Sequence, residues 1–218
     1  MPMTRPLIRK TLSEQIYDAL VADILNGEIR PGEKLINRDL QERFQVSSTP
    51  VRDAVNRLAA DGLLRNVSKT GAQTIDFDER YVEELNEFIA AISCDALTLS
   101  ARNGDPSVVV RELRRHQDLM ERDDARSYYE HDHHYHATFF VHSMNRFLLD
   151  TYDNVELIRS FLFHSAIRSD EDRRASIAQH KEITEAYASG AWDVARRLLI
   201  EHFRYGLLRA HDYRRDEP

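Results

Sequence analysis

The chain has 218 residues, 42% of them hydrophobic and 31% charged, with a formal net charge of -7. That length can bury two modest cores, and the single cysteine, Cys94, excludes a disulfide framework and fits a reducing compartment. Residues 1–10 carry charge with no apolar stretch behind them, and no run of about 18 apolar residues could span a bilayer, so a cytoplasmic protein is expected.

Residues 1–75 hold 11 Lys and Arg against 9 Asp and Glu, whereas residues 76–218 hold 19 against 28 and all ten histidines. A mildly basic front and an acidic, histidine-rich back predict two domains with separate tasks, 1–76 and 77–218.

Thr11-Leu12-Ser13-Glu14 reads as a capping box, followed by Ile16, Leu20, Ile24 and Leu25 at helical spacing and a stop at Asn26-Gly27. Pro31-Gly32 is a turn. A second short helix is expected over about 37–44, capped by Asn37, with Leu40 and Phe44 inward. A third opens at Thr49-Pro50, a hydroxyl cap and then proline at the first helical position, and buries Val51, Val55 and Leu58. Residues 63–67 and 72–75 read as two strands around Ser68-Lys69-Thr70-Gly71, a wing. Two short helices joined by a tight turn and followed by a wing form a winged helix-turn-helix.

The wording is specific. Ile29-Arg30-Pro31-Gly32-Glu33-Lys34-Leu35, Arg38-Asp39-Leu40, Val46-Ser47-Ser48-Thr49-Pro50-Val51-Arg52-Asp53-Ala54 and Leu58-Ala59-Ala60-Asp61-Gly62-Leu63 together resemble the GntR family of transcriptional regulators. The resemblance implies DNA contacts by Arg38, Arg52 and the wing glycine Gly71, with Thr49 on a phosphate. Ser48 stands at a DNA-facing position where many members carry arginine, so a strong donor is missing, and Lys69 is expected to compensate at a phosphate. Arginine offers two parallel donors to guanine in the major groove, and glycine lets a wing approach the minor groove.

Asp78 is expected to cap a long helix with Val82, Leu85, Ile89, Ile92, Ala96 and Leu99 inward, ended by Asn103-Gly104-Asp105-Pro106. Helices follow at roughly 107–121, 125–143, 146–166, 171–189 and 192–210, giving a mainly α chain with a bundle of about six antiparallel helices. Tyr135-His136, with Asn145 nine residues on, resembles the FCD ligand-binding domain of the FadR subfamily.

Polar residues interrupt the apolar seams. Asp132 and His136 share a face with Phe139 and Ser143; His180 falls on a stripe with Ile177, Thr184 and Tyr187, and His202 with Leu198, Leu199 and Gly206. Three imidazoles and a carboxylate suit a divalent ion, zinc or nickel first, with manganese, cobalt or iron as alternatives. Core histidines bonded to neighbours are the competing explanation. The metal-binding FCD branch implies this same set, an Asp and a His four apart and two later histidines 22 apart. Metal is then expected to leave near pH 6.5, where free imidazole titrates, and His131 and His133, on other faces, to be replaceable without effect.

The position of an effector-binding arginine common in FCD relatives falls on Ile89, which cannot hold a carboxylate. Arg159, or the metal alone, would then anchor an organic acid, or the effector is of another class. The expected function is a homodimeric repressor of a palindromic operator, its bundle shifted by an effector near the metal. The first long bundle helix, or Phe161 and Phe163 taken as exposed, are the expected dimer surfaces. A helical metalloenzyme is the rival from another class, but no further acid–base pair of recognisable spacing supports it. A DNA-binding protein with a purely structural metal is the third reading.

Overall fold

A computed structural model describes residues 10–122, 125–166 and 169–215. They form two compact units divided between Asp76 and Phe77.

In the first unit α1 (Leu12–Leu25), α2 (Asn37–Phe44) and α3 (Ser48–Ala60) pack beside a small sheet of β1 (Lys34–Ile36), β2 (Leu64–Arg65) and β3 (Gly71–Thr74), in the order β1-β3-β2. The capping box of α1 is present, with Thr11 and Glu14 satisfying each other's backbone N–H groups. Its core is Ile16, Leu20, Ile24, Val51, Val55, Leu58 and Leu63, all buried.

Three local expectations need correction. Asn37 is the first residue of α2 rather than its cap, and its side chain donates to the Lys69 carbonyl at 3.2 Å, tying helix to wing. Thr49 lies inside α3; the cap position is Ser47, and no side chain bonds there. The strand Lys34–Ile36 was not expected, because three residues with one inward side chain give no alternation to detect.

The second unit is a bundle of α4 (Glu79–Asn103), α5 (Pro106–Arg122), α6 (Ala125–His142), α7 (Arg146–Ala166), α8 (Asp170–Ala188) and α9 (Trp192–Arg215). Asp78 caps α4 by accepting from Tyr81 N–H at 2.7 Å. On α4 the buried stripe runs Val82, Ile89, Ser93, Ala96, Leu97 and Ser100, so Leu85, Ile92 and Leu99 fall on its margin. Aromatic rings fill the centre: Tyr128, Tyr135, Phe139, Phe140, Tyr152 and Tyr187 are buried. Phe161 is also buried, edge-on to Phe77 at 5.2 Å, and is therefore no surface for a partner. The side chain of Phe163 lies outside the described residues.

Candidate metal centre and nucleic-acid interface

Helical spacing delivers four donors to one point of the bundle. Asp132 and His136 project one turn apart from α6, His180 comes from α8 and His202 from α9. All four are buried, between 0% and 5% exposed. The Nε2 atoms of His136, His180 and His202 form a triangle with sides of 3.2, 3.2 and 3.3 Å. Asp132 Oδ1 lies 3.6 Å from His180 Nε2 and 3.9 Å from His136 Nε2.

The triangle matches the edge, about 3.3 Å, of a tetrahedron whose centre lies about 2.0 Å from each corner, the spacing of imidazole nitrogens on zinc. Hydrogen bonds between the rings can satisfy only part of this set. His202 Nδ1 faces Gln179 Oε1 at 2.9 Å; with the proton there, its Nε2 presents a lone pair to the other two rings. Asp132 Oδ1 has no hydrogen-bond partner among the described residues. A divalent ion would satisfy these orphaned acceptors together, so the residues fit a metal.

The surrounding charges favour the same conclusion. On α7, Arg159 donates to Glu156 at 2.8 and 3.0 Å and to Asp132 Oδ2 at 3.2 Å. His133 Nδ1 reaches the same Glu156 at 3.0 Å. Burial alone would raise the Glu156 pKa, but Arg159 and His133 outweigh it and hold it below the usual carboxylate range. Burial raises Asp132 to about 6 despite Arg159. Burial, and the neighbouring imidazoles, push His136 well below 6.5; burial and His202 do the same to His180. Burial, then Arg159, lowers His202 to about 3. With both acids ionised, one guanidinium faces two carboxylates, and a buried negative charge is left for a cation to offset.

Three expectations change. The imidazoles are already neutral far below pH 6.5, so the first proton to compete with a metal goes to Asp132. His133 is not an inert surface residue, because it touches Glu156. Arg159 is likewise held by Glu156 and Asp132, and a ligand carboxylate would have to displace one of them. Gln179 and Glu156 escaped the sequence reading; the one available signal was Glu156 and Arg159 three apart on an apolar helix. Tyr135 walls the site, its ring 4.2 Å from that of His180 and its hydroxyl donating to the His180 carbonyl at 3.0 Å.

In the first unit the exposed face of α3 presents Ser48, Thr49 and Arg52. Arg52, Asn56, Val67, Ser68 and Lys69 line a cleft of about 290 Å³ between α3 and the wing. Arg38 is exposed on α2 and paired with Glu42 at 3.0 Å, an exchangeable surface contact. Gly71 differs from the others. It is buried, and a Cβ there would lie 2.0 Å from the Leu35 carbonyl oxygen, so β1 itself requires the glycine.

A winged helix-turn-helix unit and a helical unit with an inward His₃Asp cluster define a class, the DNA-binding transcriptional regulators with a helical ligand-binding domain. The chain belongs to the bacterial regulatory proteins of the GntR family: that family's model matches residues 12–73 and the FCD domain model matches residues 84–205. It is similar to the HTH-type transcriptional repressor RspR of Escherichia coli (strain K12), 23% identical over 88% of this chain and 86% of that one. Among solved structures it resembles E. coli McbR/YncC, with a TM-score of 0.74, 20% identity and coverage of 94% and 99% of the two chains. It also resembles the metal-free FCD domain of TM0439, with a TM-score of 0.53 and 18% identity, over 65% of this chain and 99% of that one. The family and these relatives are regulators, not enzymes. Among the described residues, no helix is long and apolar enough to cross a membrane.

Proposed function

We propose that the chain is a homodimeric repressor that reads a palindromic operator and holds a divalent transition ion through Asp132, His136, His180 and His202. The observation that carries the metal assignment is the triangle of ring nitrogens beside an unpartnered buried carboxylate oxygen. Nitrogen-rich donors favour zinc or nickel over manganese. When bound, the ion supplies a Lewis-acidic anchor for a ligand oxygen. Gln179 orients His202, and Arg159 holds Asp132.

DNA reading is assigned to Arg52, Ser48 and Thr49 on α3, Arg38 on α2, and Lys69 and the Gly71 backbone in the wing. The exposure of Ser48, Thr49 and Arg52 on α3, with Arg52 and Lys69 lining the adjoining cleft, supports the assignment for these four; Arg38 is exposed on α2, outside that cleft, and Gly71 serves the sheet. Two recognition helices meet successive half-sites only if the protein is two-fold symmetric, which argues for the dimer. The effector is a small molecule near the ion. Ile89 is buried in the core and Arg159 is engaged, so the metal itself is the anchor, and an organic acid is the matching chemistry.

A second reading has its own support. Four donors, all buried, resemble a closed structural site rather than an open one. The test is DNA binding by the metal-loaded protein on a fragment selected from a random library, titrated with a panel of mono- and dicarboxylates. Release or tightening that disappears after chelation supports the sensor. An affinity unmoved by every acid, alongside stoichiometric metal, assigns the ion a structural role.

A further inference from the structure

We propose that His116, His131 and His134 form a second, solvent-accessible site for a divalent transition ion, bridging α5 and α6. His131 and His134 are three residues apart on α6 and so share a face, which packs against α5 where His116 projects. Each ring offers a nitrogen within 4.8 Å of the other two. The ring centroids lie 5.3 Å apart for His116 and His134, 5.9 Å for His116 and His131, and 6.4 Å for His131 and His134. In the inner cluster the corresponding separations are 4.4 to 5.1 Å, so the second site is wider and closes by small side-chain rotations.

The donors are prepared for coordination. His134 Nδ1 faces the Glu130 carbonyl at 2.6 Å, which fixes the proton on Nδ1 and leaves Nε2 with a lone pair. His116 Nδ1 is buried and has no hydrogen-bond partner among the described residues. His134 is exposed and the other two are half-buried, so an ion can enter from solvent. Three imidazoles without a carboxylate suit zinc, copper(II) or nickel and bind more weakly than the inner set, which adds the Asp132 charge. α6 thus carries ligands for two ions on different faces.

Equilibrium dialysis of the untagged full chain against zinc alone tests this. Two ions per chain are expected, the second held at least about tenfold more weakly than the first. His116→Gln and His134→Gln, on different helices, should each weaken only the second ion by about tenfold or more, with the melting temperature of the once-loaded protein unchanged. His202→Gln should do the reverse, so this site still fills even if the inner assignment fails. A single ion at saturating zinc that both outer substitutions leave in place, or a second ion unmoved by both of them, overturns the proposal; a single ion that both outer substitutions weaken upholds this site and removes the inner one.

Discussion

Asp132 gathers two opposing demands. Its Oδ2 accepts from Arg159 while its Oδ1 turns toward the neutral imidazoles of His180 and His136. Removing a ligand therefore differs from removing a core side chain. His202→Gln should lower metal affinity steeply while DNA binding by the first unit persists; metal titration followed by DNA binding checks both, and wild-type metal affinity would refute the ligand role. Glu156→Leu should cost about 1–3 kcal/mol, because it removes the two hydrogen bonds that buried Arg159 donates to Glu156 while leaving it paired with Asp132; denaturant unfolding measures it. The pH response of the chelated protein follows from the same groups. The folded values of His136, His180 and His202 lie below their unfolded value, so the unfolded chain binds more protons, and stability falls as pH drops below about 6.5. Asp132, raised to about 6, binds its proton earlier in the folded state and opposes that fall. Three groups outweigh one, and denaturant midpoints of metal-free protein should decrease from pH 7 to pH 5.

At the level of elements, α3 and the wing serve DNA by different means. Arg52 is exposed on α3, so Arg52→Ala should weaken operator binding by about 1–3 kcal/mol and leave stability unchanged. A binding isotherm equal to wild type at fixed salt would remove it from the interface. Gly71→Ala should behave in the opposite manner. Its Cβ would meet the Leu35 carbonyl, so β3 must part from β1, at a cost above about 1 kcal/mol before any DNA is present. Thermal melting of the free protein separates the two residues. The helices were legible because apolar residues recur at three and four and because Asp78, Thr11 and Gly104 punctuate them. The caps of α2 and α3 were not. Asn37 and Thr49 are good capping residues, but the wing claims the Asn37 side chain, and the helix begins one residue before Thr49.

For the whole molecule, the metal should couple stability to ion supply. An ion bound only by the folded state raises the melting point in proportion to the logarithm of its free concentration, so chelation should lower it and zinc or nickel restore it. A melting curve indifferent to both would leave the inner cluster as packed histidines. The sequence by itself determined the two-part chain, through its uneven charge, the family wording of the first part, and the order of the helices and the inward direction of the four donors, because the last two are properties of spacing along each helix taken singly. Tertiary structure alone decided which polar groups face one another. Gln179 meets His202 and Arg159 meets Asp132 only through contacts between helices far apart in the chain. It also decided that Phe161 is core, that His133 leans on a buried carboxylate, and that His116 joins two histidines of α6. Helical periodicity tells which way a side chain points; only the packed bundle tells what it meets there.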